Sequence, residues 1–321
     1  MTVTRAFQRN ALIAEKTRKR IIEVANELNF IPNYNARGLR GAPTMSIGIL
    51  MSNPFGNSLV RPLSLALMQA NYVSFIADSL GDTEIVRSGL QDFCGRKVTG
   101  VILEWREHYK EDARLMHLLS HLNNVVLYSK GPCDNNIPYS MCTLQLKPAY
   151  RVITEELLKS GCRDIVFVGR QDQWETQACL AVFAELGIKE SECLVETSTY
   201  QSKPAFANYY DALYDRLTAG KIPDAVFAGN DVAAAQICSC LQAFGLQVPG
   251  DVAVIGCNNE TMSPFCSPPI ASIDQDRDLV ADLIYKMLMR RINHPESEIE
   301  HKKVSCHYIP RESANINKKS I

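Results

Sequence analysis

The chain has 321 residues, a formal net charge of −1, 46% hydrophobic side chains and 21% charged side chains. This length and composition are typical of a globular protein with two domains or with one two-lobed domain. No apolar run reaches the 18 or so residues of a membrane-spanning helix, so the sequence predicts none. The basic amino-terminal residues lack the continuous apolar core of a secretory signal, and we therefore expect a cytoplasmic protein.

The positive charge is concentrated at the amino terminus. Residues 1–41 carry eight basic and three acidic side chains, a net of +5, which leaves −6 for the rest of the chain. A basic end on a mildly acidic body is typical of a segment that faces nucleic acid. A solvated helix face accounts for the same charges equally well, so the charge distribution alone leaves both interpretations open.

The 11 cysteines and six histidines do not form a recognisable metal site. No CxxC pair occurs, and Cys238 and Cys240 lie inside an apolar helical stretch. His117 and His121 are four residues apart, but no third ligand is evident. We therefore expect reduced structural cysteines, surface histidines and no metal or other cofactor.

The first predicted element is a helix in residues 16–30, KTRKRIIEVANELNF, whose apolar side chains recur at helical spacing. Thr17 is the expected N-cap of this helix, and Pro32 ends it. The next segment, NYNARGLRG at 33–41, is short and basic and contains two glycines. By itself this composition is typical of a plain linker.

From residue 44 onward, strand-like apolar runs alternate with helical patterns. Strands are predicted at 45–51, 72–77, 98–105, 124–129, 164–169, 193–197, 224–229 and 251–256. Helices are predicted at 58–70, 82–96, 111–121, 146–160, 174–186, 204–219 and 231–244. Such an alternation predicts repeated βαβ units, because parallel strands covered by helices on both faces are continuous apolar runs.

The strands fall into two groups, at 44–144 and 145–270. The sequence therefore predicts an α/β fold with two doubly wound parallel-sheet lobes. Polar segments follow several of the strands at their carboxyl ends, which is where open α/β sheets bind ligands. We expect a binding site in the crevice between the lobes.

Six segments of the chain resemble motifs of the LacI/GalR family of transcription regulators. They are TVTRAFQ at 2–8, KTRKRIIEVANELNFIPN at 16–33, NARGLRG at 35–41, PDAVFAGNDVAAAQ at 223–236, GLQVPGDVAVIGCNNE at 245–260 and PPIASIDQD at 268–276. Each is short, but together they follow the family's order over nearly the whole chain. The first three resemble the end of the recognition helix, the third helix and the hinge helix, and the last three resemble the effector-binding core.

The resemblance implies three domains. A helix-turn-helix head is expected at 1–32, a hinge at 33–43, and an effector-binding and dimerisation core at 44–321 with a fold like periplasmic binding proteins. The N-lobe of this core is expected at about 44–144 and 276–300, and the C-lobe at about 145–275 and 301–321. By the family's pattern the part of the head before Thr2 is missing, so we expect this chain to bind operator DNA weakly or not at all.

The resemblance also assigns residues to DNA. Those matched to the head and the hinge are Thr2, Thr4, Arg5, Thr17, Asn33, Asn35, Arg37, Leu39 and Arg40. Leu39 would be the wedge that a dimer inserts into the minor groove, and the polar and basic hinge residues would contact phosphates or groove edges. A plain linker remains an alternative for the hinge, and both descriptions hold if the segment orders only on DNA.

The pocket implied by the resemblance binds a sugar-like effector through hydrogen-bonding groups and an aromatic platform. The matched residues are Ser52, Phe55, Asn57, Cys179, Tyr200, Asn230, Asn258 and Gln275. Two of these depart from the family, which has an anchoring arginine at the position of Cys179 and an aspartate at that of Asn258. Losing both charges together leaves neither unpaired and predicts a less charge-dependent specificity, with Glu104 and Trp105 as candidates to compensate.

The resemblance therefore predicts a DNA-binding transcription regulator, a repressor, in which a sugar or sugar-acid effector shifts the lobes of a homodimer. The gluconate-type repressors are one candidate branch. The alternative is a sugar or sugar-acid binding protein of the same fold that does not bind DNA, and the segment 16–33 weighs against it. The sequence contains no GxSxG, P-loop or strand-following GxGxxG motif, so we expect no enzyme activity.

Overall fold

The computed structural model describes residues 6, 13–28, 30, 44–52, 59–134, 136–189, 193–196 and 209–315. The first helix, α1, spans Glu15–Glu27, and its N-cap is Ala14, which forms no side-chain cap hydrogen bond. The prediction of Thr17 as the N-cap is therefore wrong. A capping residue needs an extended backbone just outside the helix, and Ala14 has that conformation whereas Thr17 lies within the first turn.

Two sheets form the body of the protein. The strands are β1 Ser46–Met51, β2 Val73–Asp78, β3 Gly100–Glu104, β4 Val125–Ser129, β5 Ser140–Gln145, β6 Ile165–Gly169, β7 Leu194–Glu196, β8 Ala225–Ala228, β9 Ala253–Cys257, β10 Ala271–Asp274, β11 His301–Ser305 and β12 His307–Ile309. The first sheet has the order β2-β1-β3-β4-β5-β11, and the second has the order β7-β6-β8-β9-β10-β12. All pairings are parallel except that of β10 with β12.

Helices cover both faces of each sheet. They are α2 Val60–Gln69, α3 Thr83–Arg96, α4 Ala113–Ser120, α5 Lys147–Lys159, α6 Trp174–Glu185, α7 Tyr209–Thr218, α8 Asp231–Ala243 and α9 Arg277–Asn293. Helices α3 and α4 cover one face of the first sheet and α2 and α9 the other, while α7 and α8 lie opposite α5 and α6 on the second. The predicted pair of doubly wound lobes is therefore confirmed. Among the described helices, none is long and apolar enough to span a membrane.

The chain passes between the lobes three times, before α5, before α9 and between β11 and β12. The third passage corrects a predicted boundary, because residues 301–305 were expected in the C-lobe and instead pair with β5 in the N-lobe sheet. The passage falls at Cys306, whose amide donates a hydrogen bond to the Gln145 carbonyl oxygen at 3.1 Å. One apolar cluster runs from the first lobe into the second through α5 and α9, so the lobes share a core beside these passages.

Candidate functional site

The first lobe places a buried carboxylate at the point where its strand order reverses, between β1 and β3. Ser52 follows β1 and donates from both its backbone nitrogen and its Oγ to Glu104 Oε2, each at 2.6 Å. Glu104 ends β3 and is 4% exposed. Sheets of this type bind ligands at such a reversal, so Ser52 and Glu104 mark the expected floor of a site.

The second lobe brings three of the predicted residues to the same edge of its sheet. Asn230 follows β8 and caps α8, with its Oδ1 accepting from the Ala233 amide at 2.8 Å. Asn258 follows β9 in a left-handed conformation, and its Oδ1 accepts from Gln275 Nε2 at 2.8 Å. These contacts fix the amide side chains at the carboxyl ends of three neighbouring strands.

Cys179 lies behind this edge rather than on it. The side chain is fully buried in α6, within the apolar cluster that also contains Phe183 and Phe227. Burial raises the pKa of the Cys179 thiol well above its ordinary value, so the thiol remains protonated. The structure thus gives Cys179 no exposed surface through which to contact a ligand, and an effector contact by this residue stays an untested prediction.

The two lobes contact each other through adjacent pairs of residues. Lys130 follows β4 in the first lobe, and its Nζ lies 3.2 Å from Oε1 of Glu175, which is in the first turn of α6 in the second lobe. The side chains are 16% and 11% exposed. Burial is the largest single influence and disfavours the ammonium, but Glu175, Tyr128 and Glu104 together outweigh it and raise the pKa of Lys130. The contact is therefore an ion pair held in a largely desolvated place.

The second cross-lobe contact lies one residue further on in the first lobe. A Cβ at Gly131 would lie 2.0 Å from Cζ3 of Trp174, so the indole ring can lie there only because residue 131 has no side chain. Ser129 shapes the loop that presents this glycine, since its Oγ donates to the Gly131 carbonyl oxygen at 3.1 Å and accepts from the Gly131 amide at 3.2 Å. Ser129 is fully buried, so the loop is fixed from within.

Two further basic residues lie at this face of the lobes. Arg170 follows β6 and donates from Nε to Asp172 Oδ1 at 2.9 Å. Burial opposes the ionisation of Asp172, yet Arg170 and the nearby Arg106 of the first lobe together lower the pKa of its carboxyl. The guanidinium groups are therefore already near a carboxylate of this protein.

Asp231 is fully buried beneath the edge of the second lobe and joins three of its segments, the start of α8, the loop 260–263 and β10. It begins α8, and its carboxylate accepts hydrogen bonds from Ser272 Oγ at 2.6 Å, from the Glu260 amide at 2.6 Å and from Ser263 Oγ. Burial raises the pKa of this carboxyl, and the three donors partly offset the rise. The Asp231 side chain thus holds in place the loops that carry Asn230 and Asn258.

Several predicted contacts lie outside the described residues. They are the DNA contacts Thr2, Thr4, Arg5, Asn33, Asn35, Arg37, Leu39 and Arg40 and the effector contacts Phe55, Asn57 and Tyr200. Thr17 is exposed on α1, and its predicted DNA contact is likewise untested. Trp105 is fully buried beside Tyr109 in the outer core of the first lobe. No group of three or more potential metal ligands occurs in the part of the chain that the structure describes.

The sequence interpretation missed the residues that join the lobes, Lys130, Gly131, Trp174 and Glu175. One signal was present, because Lys130 is a charged residue directly after the buried strand VVLYS. Such a position at the carboxyl end of a parallel strand predicts a functional group. The partner of Lys130 could not be predicted, because it depends on how the two sheets face each other.

Two family models match the chain. The model of a periplasmic binding protein-like domain covers residues 154–314, about half of the chain. The model of bacterial regulatory proteins of the lacI family covers residues 1–33. The chain belongs to the LacI family of bacterial regulatory proteins.

Relatives of this LacI-family protein match along most of its length. It is 24% identical over 305 residues to the HTH-type transcriptional repressor PurR of Histophilus somni. This alignment covers 93% of this chain and 90% of the relative. It is 25% identical over 302 residues to the ribose operon repressor of Escherichia coli, with 92% and 89% covered. The Lac repressor dimer bound to operator and the anti-inducer ONPF has the same fold, with a TM-score of 0.78, 18% identity and 98% and 94% coverage.

Proposed function

We propose that this LacI-family protein is a transcriptional repressor whose affinity for operator DNA is set by a sugar-like effector bound between its lobes. The observation that carries the proposal is the set of polar groups at facing strand ends, Ser52 and Glu104 in one lobe and Asn230, Asn258 and Gln275 in the other. Both PurR and the ribose operon repressor are named as repressors, which supports the same role here.

The mechanism follows from the three passages between the lobes. An effector that contacts both lobes binds the closed arrangement more tightly, so it shifts the population toward closure. Closure changes the positions of the two amino-terminal hinges of a dimer relative to each other. We infer that the hinge at 33–43 then loses or gains its fit to operator, with Leu39 as the minor-groove wedge and Arg37 and Arg40 as phosphate contacts.

The alternative, a cytoplasmic sugar-binding protein that does not bind DNA, is weaker. The match of residues 1–33 to the lacI-family model favours a DNA-binding head, and a binding protein has no need of one. DNA binding and effector binding are measured separately, so a repressor can be distinguished from a sugar-binding protein that does not bind DNA. A protein that binds sugars and no DNA under any condition is the outcome that supports it.

The function predicts that one compound changes two properties. A panel of sugars and sugar acids is screened for stabilisation against heat, where binding at 100 times Kd raises the free energy of unfolding by about 2.7 kcal/mol. Compounds that stabilise are then added to a fluorescence titration with duplexes from upstream of the protein's own gene. We expect a stabilising compound to alter the affinity for one duplex and not for a scrambled duplex, and an unchanged affinity contradicts the proposed control. The affinity itself tests the expectation of weak operator binding.

The protein is proposed to act as a homodimer through the edge of its first lobe. Strand β2 is an edge strand, and the exposed apolar side chains on it and on the adjoining α2 and loop are Leu65, Met68, Val73, Phe75, Ile76 and Leu80. An apolar patch of this kind beside an unpaired strand edge is typical of a protein interface. A twofold arrangement buries the same patch on both copies.

Charged substitutions in this patch are expected to produce monomers. Met68→Lys and Val73→Lys replace side chains that are 63% and 64% exposed, so the isolated lobe tolerates them while a packed interface does not. Light scattering after size-exclusion chromatography measures the mass. The control is Val152→Lys on α5 of the other lobe, where the side chain is 48% exposed and the mass is expected to stay that of a dimer. A monomeric wild-type protein, or dimeric variants, would overturn this interface.

A further inference from the structure

The Lys130–Glu175 pair lies between the lobes at the floor of the proposed cleft. Lys130 directly follows β4, and Glu104 of the neighbouring strand β3 is close enough to raise the pKa of Lys130 as well. The pair is thus next to the Ser52–Glu104 hydrogen bonds that mark the strand-order reversal. A ligand in this cleft meets two carboxylates and one ammonium whose partner belongs to the opposite lobe.

The neighbouring contact between Gly131 and Trp174 links the Lys130–Glu175 ion pair to closure of the lobes. Trp174 and Glu175 are consecutive residues of α6, and they contact the consecutive residues Gly131 and Lys130 of the first lobe. Both sets therefore form or separate together when the lobes move. The Trp174 indole nitrogen is buried and has no hydrogen-bond partner among the described residues, so its surroundings change when the contact opens.

We propose that the Lys130–Glu175 ion pair is a specificity determinant that restricts the effector to uncharged, hydroxyl-bearing compounds. The proposal rests on the proposed function, since it concerns the effector of that same cleft. It excludes the sugar acids that the family resemblance left open.

The physical reason is competition for one ammonium. A carboxylate or phosphate of an effector gains from Lys130 only by displacing Glu175, and this leaves the Glu175 carboxylate desolvated without its partner. Displacing Glu175 also separates the lobes, so an anion opposes the closure that its other contacts favour. Glu104 repels the same anion, whereas the hydroxyls of a neutral sugar accept and donate hydrogen bonds while the ion pair stays intact.

The other cations near the cleft do not readily replace Lys130 as the partner of an anionic effector. Arg170 is hydrogen bonded to Asp172, and Arg106 lies near the same carboxylate. The family's anchoring arginine position is Cys179, which is buried and protonated. Among the described residues, each cation named here already has a carboxylate of the protein beside it.

The test compares matched neutral and anionic ligands on the full chain. The probes are glucose against gluconate and ribose against ribose 5-phosphate, measured by thermal stabilisation and calorimetry on wild type, E175Q, K130M and the control E185Q. Glu185 lies on the same helix α6 but is exposed in a surface pair. We expect wild type and E185Q to be stabilised by a neutral sugar and not by its anionic partner. In E175Q the freed ammonium is expected to shift the ratio of affinities toward the anion by about tenfold or more, and in K130M no gain is expected.

The proposal is overturned if the wild-type protein binds the anionic compound of a pair as tightly as the neutral one. It is also overturned if E175Q has the same ratio of anionic to neutral affinity as the wild type. If neither the neutral nor the anionic sugars stabilise the wild-type protein, the result contradicts the sugar-like effector of the proposed function instead. The cross-lobe role of the pair is then decided without ligand, by Trp174 fluorescence in a W105F background and by solution scattering. An E175Q protein with the emission and dimensions of E185Q would contradict that role.

Discussion

Asp231→Ala is expected to lower the free energy of unfolding by about 3–5 kcal/mol. The carboxylate is fully buried and accepts hydrogen bonds from Ser263, Ser272 and the Glu260 amide, so its removal leaves three donors without an acceptor and opens a small cavity. The loss includes the desolvation of those donors as well as the lost bonds. Because these loops present Asn230 and Asn258, ligand binding is expected to weaken together with stability.

Urea unfolding followed by circular dichroism measures this change. The control is Asp282→Ala on α9, where the side chain is 46% exposed and pairs with Lys286, so that a change of under about 1 kcal/mol is expected. A second variant, Gly256→Ala, places a Cβ 2.1 Å from Asp231 Oδ1 and should disturb the same carboxylate without removing it. Equal unfolding midpoints for Asp231→Ala and Asp282→Ala would show that the buried network does not stabilise the second lobe.

The sequence predicted the strands that are continuous apolar runs, and it missed those that are not. The runs at 164–169 and 251–256 are found as β6 and β9, each fully buried. Strand β5, SMCTLQ, was missed because serine, threonine and glutamine interrupt its apolar pattern, although four of its six residues are buried. Strand β11 was missed for the same reason, since HKKVS is polar and only Val304 is buried. Edge position explains this polarity, because β11 has a neighbour on one side alone.

The residues of the site also fall into those that the sequence could predict and those that it could not. Asn230, Asn258 and Gln275 were predictable, because their positions follow from motifs at strand ends and strand ends share one edge of a parallel sheet. Asp231 was predictable as a neighbour of Asn230, but its structural role depends on serines 32 and 41 residues away. The Lys130–Glu175 pair was not predictable, because its two residues belong to different sheets and meet only in the tertiary arrangement of the lobes.

Gly131→Ala is expected to separate the lobes. The new Cβ would lie 2.0 Å from Cζ3 of Trp174, and Ser129 holds the loop from within, so the indole ring has to move rather than the backbone. Overpacking of this kind costs about 1–3 kcal/mol. We expect a larger radius of gyration by solution scattering and a red-shifted emission from Trp174 in the W105F background, because its partly buried indole becomes more exposed to water.

A double-mutant cycle with Trp174→Ala separates lobe opening from local damage. If the clash with the ring is the cause, the effect of Gly131→Ala on stability falls to nearly zero once the ring is absent, which corresponds to a coupling energy of about 1–3 kcal/mol. The matched control is Gly95→Ala in α3, where a Cβ has no contact within 4 Å with the described residues outside its own turn of helix and a helical glycine is replaced by a better helix former. Gly95→Ala is expected to keep or raise the stability and to leave the scattering unchanged. If Gly131→Ala behaves like Gly95→Ala, then the contact between Gly131 and Trp174 does not hold the lobes together, and closure of this protein depends on other features, among them the Lys130–Glu175 pair, the shared apolar core and the effector.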